Sequence, residues 1–164
     1  MTGAPPHVSV MVARPGSPEG RAVLTAYFHD IVSRYHGREA TGDEVRAAMS
    51  DEPSDDLRPP RGLFFLARQD AAVVGCVGLR LLPGGTGEIT RMFVVPVARR
   101  HGVGRQLLRA AEDAARGYGA TRVRLDTSSH LAEARQLYAS HGYQEVDPFN
   151  EGRLADRWYQ KPLS

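Results

Sequence analysis

The chain is poor in several residue types, and each shortage excludes something. It has one cysteine, Cys76, so no intrachain disulfide can form. Cys76 lies inside the apolar stretch from Val73 to Leu79, where an inert buried thiol is expected, and no His and Asp partners suggest a catalytic one. This cysteine usage fits a reducing, cytoplasmic setting. Lys161 is the only lysine, the net charge is only +2, and no Lys/Arg cluster is interleaved with aromatics, which argues against a nucleic-acid partner. No apolar run approaches the roughly 20 residues that span a bilayer. The first residues, Met1-Thr2-Gly3-Ala4-Pro5-Pro6, carry neither the basic nor the apolar region of a secretory signal. The six histidines are scattered without ligand spacing, so no metal is expected. What remains is a 164-residue chain, 41% hydrophobic and 24% charged, which suits a single domain over residues 1–164 with one substantial core.

The element pattern is mixed. Val8 to Ala13 reads as a strand. Ser17-Pro18-Glu19 opens a helix by capping and by proline in the first turn. Val23, Leu24, Tyr27, Phe28, Ile31 and Tyr35 recur along it at helical spacing, and Gly37 ends it. Thr41-Gly42-Asp43-Glu44 starts a shorter helix to about Met49. Residues 51–62 are polar with three prolines and read as a surface loop. Runs 62–67, 72–82 and 88–95, joined by short turns, read as three antiparallel strands. A helix follows with Val103, Leu107, Leu108, Ala111, Ala114, Ala115 and Tyr118 on one face and Gly119 at its end. Then come a strand at 123–126, a helix with Leu131, Ala134, Leu137 and Tyr138 on one face, and strands at 143–146 and 156–161. The spacing predicts parallel crossovers and a mixed sheet covered by about four helices, of α/β or α+β class.

The segment Arg99-Arg100-His101-Gly102-Val103-Gly104 stands between a strand and a clear amphipathic helix. A basic glycine-containing turn at a helix N-terminus makes an anion cradle of backbone N–H groups, helix dipole and guanidinium. The run Glu88-Ile-Thr-Arg-Met-Phe-Val-Val-Pro96, followed by Arg99 to Arg105, resembles the acetyl-CoA signature of the GCN5-related N-acetyltransferase (GNAT) superfamily. A second signature follows in family order, Leu131-x-x-Ala134-x-x-Leu137-Tyr138-x-x-x-Gly142-Tyr143. A dinucleotide fold is disfavoured, because Gly-x-Gly-x-x-Gly would need glycine where Leu107 stands.

The resemblance implies a mostly antiparallel sheet of six to seven strands with a splayed central pair, and acetyl-CoA as co-substrate. It places the pyrophosphate on Arg100, His101, Gly102, Val103, Gly104 and Arg105, with Arg99 at the start of that turn. Pantetheine would pair like an added strand with Met92, Phe93 and Val94, where the fourth and fifth strands splay. The Val94 N–H would polarise the thioester carbonyl. Glu88 is implied as general base and Tyr138 as the acid that protonates the departing thiolate; the alternatives are a strand-end glutamate paired with Arg91 or another arginine, and a core tyrosine. One departure is Leu131, where many members carry a CoA-contacting Asn; Ser129 and His130 are candidates for that contact, with placement at the surface the favoured alternative.

The acceptor is less legible. His36 at the end of the first helix suits a helix-dipole contact better than a second base. Residues 147–151 and 156–159 offer carboxylates and aromatics that suit a cationic amine, and equally suit a polar loop and a hydrophobic last strand. The expected activity is N-acetylation of a small-molecule primary amine by direct attack in a ternary complex. Acetylation of a protein N-terminus or lysine, and a non-catalytic CoA-binding sensor, are the alternatives. No membrane partner is expected, and a homodimer is compatible with the resemblance.

Overall fold

A computed structural model of the chain describes residues 7–129, 131–152 and 154–164. The elements follow in the order β1 (Val8–Ala13), α1 (Pro18–His36), α2 (Gly42–Asp51), β2 (Gly62–Gln69), β3 (Ala72–Leu82), β4 (Thr86–Val94), α3 (Val103–Gly117), β5 (Arg122–Thr127), α4 (Ala132–Ser140), β6 (Gln144–Val146) and β7 (Arg157–Pro162). Among the described residues, seven strands form one open mixed sheet in the order β1-β2-β3-β4-β5-β7-β6. All neighbours are antiparallel except β4 and β5.

Local chemistry explains the helix ends. Ser17 accepts a hydrogen bond from the Gly20 N–H, and Gly37 closes α1 in the left-handed region with its N–H on the Arg34 and Ser33 carbonyls. Thr41 and Glu44 form a reciprocal capping box on α2. The sheet separates two apolar layers. Phe65, Val77, Leu79, Ile89, Val123 and Leu125 meet Leu107, Leu108, Ala111 and Ala115 of α3. Phe64, Leu66, Cys76 and Phe93 meet Val23 and Leu24 of α1. Across β7, the Lys161 ammonium donates to Glu112 Oε1 at 3.1 Å. The Tyr143 hydroxyl donates to Glu112 Oε2 at 2.7 Å, so the only lysine pins the last strand to α3.

Three expectations are corrected. Tyr35 and Tyr118 share the spacing of their helices' apolar faces but are each 56% exposed, because the last turn of each helix runs past the core; Val32 is buried in α1 instead. The connection between α2 and β2 is not wholly a surface loop. It carries Leu57, which is 0% exposed and packs with Leu24 and Phe64 beneath α1. The proline-rich segment therefore lays one side chain into the core and presents the rest outward.

The strand that matters most is β4. Gly78 faces Thr90 and Cys76 faces Phe93, so Arg91 and Met92 together oppose Val77 in a bulge, and Arg91 takes φ 54°. The buried Arg91 guanidinium secures this bulge. It donates to Ser54 Oγ (3.2 Å), Thr90 Oγ1 (2.9 Å) and the Glu52 carbonyl (3.0 Å), and sits 5.1 Å from the Phe28 ring centre. Beyond it, β4 and β5 separate. They pair only over Thr86–Glu88 with Arg122–Arg124, while β5 pairs with β7 along all six of its residues.

Candidate active site

The parting of β4 from β5 leaves one edge of β4 without a partner. The Val95 N–H donates to the Val74 carbonyl at 2.9 Å, on the β3 side. Strand alternation therefore turns the backbone of Met92 and Val94 to the open edge and that of Phe93 back to Cys76 of β3. Of the three residues expected to pair with pantetheine, two present open backbone groups. Phe93 instead buries its ring against Tyr27, 6.3 Å between centres.

Below this edge, the turn before α3 has the form expected of a cradle. Arg100 (φ 69°) and Gly102 (φ 80°) are both left-handed, and Gly102 is the N-cap of α3 without any side-chain cap. The first intrahelical bond is Gln106 N–H to Gly102 O at 3.1 Å, so the N–H groups of Val103, Gly104 and Arg105 have no intrahelical acceptor. A Cβ at Gly102 would meet nothing within 4 Å, which leaves the approach to those groups open. Val103 turns its side chain into the core and offers only its backbone. Gly104 lies under α4, where a Cβ would come 3.2 Å from Leu137 Cδ2.

The open edge and the turn line one cavity of about 750 Å³, to which Met92, Val94, Arg99, Arg100, Gly102 and Arg105 all contribute. His101 is exposed and does not line it. Arg99 is turned to the cavity's other wall. Its Nε donates to the Val94 carbonyl at 2.9 Å, and its guanidinium lies 3.6 Å from Glu133 and 3.9 Å from Asp30. Arg99 thus locks the end of β4 between α1 and α4, and Arg100 and Arg105, which form no ion pair among the described residues, carry charge beside the helix N-terminus.

A second cavity, of about 1190 Å³, lies where β4 and β5 part, and Glu88, Asp126 and Tyr138 line it. The two cavities meet at shared walls, Tyr27, Ile31, Met92, Leu131 and Ala134. Glu88 is paired with arginines other than Arg91: Arg124 Nε donates to its Oε2 at 3.1 Å, and Arg80 lies 3.5 Å from Oε1. Tyr138 is 4% exposed, with ring centres 5.6 Å from Tyr143 and 6.1 Å from Tyr159. Burial pushes its phenol well above the ordinary range, and Tyr27, Asp126 and Tyr159 push it the same way. The hydroxyl is protonated at neutral pH, as an ordinary phenol is, and the upward shift makes its proton harder to release.

Burial likewise raises the Cys76 thiol, which donates to the Arg91 carbonyl at 3.2 Å and is inert. His36 lies outside both cavities, 3.1 Å from Glu44. Ser129 is held by Asp156, which accepts from its N–H and its hydroxyl at 2.6 Å each; His130 lies outside the described residues. Leu131 forms part of the wall between the cavities and packs beside Phe28 and Ile31.

Tyr27, Ile31 and Asp126 were not legible as site residues. Tyr27 and Ile31 follow the apolar period of α1 and look like core; Asp126 closes a short apolar strand. Only the parting of β4 and β5 turns all three toward a cleft. Among the described residues, no group of three or more His, Cys, Asp or Glu could hold a metal ion, and no helix is long and apolar enough to cross a membrane.

Comparison with known proteins identifies the family and the fold. The chain is 39% identical over 94 residues to an IAA acetyltransferase of Azospirillum brasilense, covering 57% of this chain and 61% of that protein's length. It is 27% identical over 132 residues to an aminoglycoside N(6')-acetyltransferase type 1 of Klebsiella aerogenes, covering 76% of this chain and 82% of the relative. The fold matches that of PaiA N-acetyltransferase from Thermoplasma acidophilum in complex with coenzyme A, with a TM-score of 0.74 at 17% identity over 95% of this chain and 99% of that one. The model of the acetyltransferase (GNAT) family matches residues 25–143, and the chain belongs to that family.

Proposed function

We propose that the protein transfers the acetyl group of acetyl-CoA to a primary amine of a small molecule, with both substrates bound together. One observation carries this: two cavities, one at a basic helix N-terminus and an open strand edge, the other lined by a carboxylate and a protonated phenol, share a wall at Met92 and Leu131. The residues of the first fit CoA. Backbone N–H groups of Val103, Gly104 and Arg105, with Arg100 and Arg105, would hold the phosphates, and Met92 and Val94 would pair with pantetheine amides. A bound acetyl-CoA supplies an activated thioester. The Val94 N–H is the candidate donor to its carbonyl oxygen, and Tyr138 gives its proton to the leaving sulfur as the nitrogen–carbon bond forms and the carbon–sulfur bond breaks. Glu88 accepts a proton from the ammonium through water, its two oxygens being engaged by Arg80 and Arg124. The amine's second proton restores Tyr138.

The segment between β6 and β7 favours a small acceptor over an extended peptide. Asn150, Glu151, Gly152, Leu154 and Ala155 wall the second cavity. The segment is tied down by Asn150 on Asp126 (2.7 Å), by Asp156 on Ser129, and by Arg124 4.2 Å from the Phe149 ring centre. The aminoglycoside acetyltransferase among the relatives supports the same acceptor class.

Acetyl-CoA at a hundred times its Kd is expected to raise Tm by roughly 5–10 °C, from about 2.7 kcal/mol of linkage in a chain of this size. No shift at millimolar acetyl-CoA refutes the donor assignment. CoA release with a panel of primary amines tests the acceptor. Glu88→Gln should lower kcat/KM by about a hundredfold with the acetyl-CoA-induced Tm shift unchanged; an unchanged kcat/KM takes Glu88 out of the reaction.

A further inference from the structure

We propose that Asp126 receives the acceptor's ammonium group and so selects cationic primary amines. This rests on the acceptor-cavity assignment above and deepens it. Val123 and Leu125 point into the α3 layer, so Arg124 and Asp126 between and after them point to the opposite face of β5. Glu88, beside the core residue Ile89 of β4, lies on that same face, and all three converge on the cleft between the strands.

The carboxylates there are not equivalent. Glu88 is occupied by Arg80 and Arg124. Asp56 is taken by Arg80, whose Nε donates to it at 2.7 Å. Asp126, half-buried, pairs with no cation among the described residues. Its one hydrogen bond comes from Asn150 Nδ2, at 2.7 Å to Oδ2, which leaves Oδ1 uncommitted.

Asn150 is itself fixed. Its Oδ1 accepts from Trp158 Nε1 and from the Gly152 N–H, each at 3.0 Å, so its amide donor is aimed at Asp126. The carboxylate is thus oriented by a neutral donor and keeps its full charge for a ligand. Glu52, Asp55 and Glu151 also line the cavity, but Asp55 and Glu151 are exposed. Glu52 caps the end of α2, where its carbonyl accepts from Arg91, whereas Asp126 lies on β5 two residues from Arg124, the partner of Glu88. An ammonium held on Asp126 would gain a charge-assisted hydrogen bond.

The test measures CoA release with 1,4-diaminobutane, glucosamine and 2-aminoethylphosphonate. At least one is expected to be acetylated. Asp126→Asn keeps an oxygen to accept from Asn150 and removes only the charge. It should raise the KM of an accepted amine about ten- to hundredfold, the scale of one charge-assisted hydrogen bond, with kcat less affected and the acetyl-CoA-induced Tm shift unchanged. Asp126→Glu should recover part of the loss. An unmoved KM, or Asn and Glu variants equally impaired, overturns the assignment of Asp126 while leaving the small-amine reading intact. Acetyl-CoA binding with none of the amines accepted overturns both.

Discussion

Tyr138→Phe is expected to lower kcat by a hundredfold or more while leaving the Kd of acetyl-CoA within a factor of about two, the range of a lost general acid. The change is unusually clean. The ring is packed against Tyr143 and Tyr159, and phenylalanine fills the same space. No hydrogen bond from a described residue engages the hydroxyl, which opens onto the acceptor cavity, so no buried donor or acceptor is orphaned. Removing it takes away a proton and little else. That proton is held firmly: burial raises the phenol, and the charge of Asp126 raises it further. A phenol is protonated at neutral pH without that shift, and the shift makes it a weaker acid, so its donation to sulfur waits on negative charge developing there. Steady-state kinetics and a thermal shift with acetyl-CoA separate the two effects. A kcat within twofold of the parent would return Tyr138 to a purely packing role.

The features legible in the sequence are those whose physics is local. Ser17-Pro18, Gly37 and the Thr41/Glu44 capping box act within four residues of themselves, and each bounds its helix where expected, the first and last at the start and Gly37 at the end. The turn at Gly102 is legible for the same reason, and so is the burial of Cys76 within an apolar strand. The misses are all long-range. Leu57 is buried because α1 happens to cross above it, and nothing in its prolines and acids foretells that. Tyr35 and Tyr118 obey the helical period, but periodicity does not say where the covering sheet stops. Glu88 was legible as a candidate, yet its partners come from 36 residues away in Arg124 and from the neighbouring β3 in Arg80. Asp126 is invisible as a site residue until β4 bulges at Arg91 and swings away from β5. That bulge is itself held by contacts with Glu52 and Ser54, nearly forty residues earlier.

Gly102→Val should weaken acetyl-CoA binding by about a hundredfold or more, the loss of roughly two charge-assisted hydrogen bonds. Two effects act together. Gly102 has φ 80°, a conformation that costs a β-branched residue on the order of 1–3 kcal/mol, so the turn would relax toward negative φ and rotate the N–H groups behind it. The added side chain would also enter the open space in front of Val103, Gly104 and Arg105, where a phosphate would approach. Since Gly102 is exposed and a Cβ there meets nothing within 4 Å, the core is not disturbed. The fold is expected to survive with a modest fall in Tm, as read by circular dichroism. Gly102→Ala separates the two causes. It carries most of the backbone strain with little of the bulk, so an affinity between those of the parent and the valine variant means that steric approach matters, and one equal to the valine variant means that the turn's geometry decides. Isothermal titration with CoA reads both, and full affinity in the valine variant would remove the phosphates from this helix N-terminus.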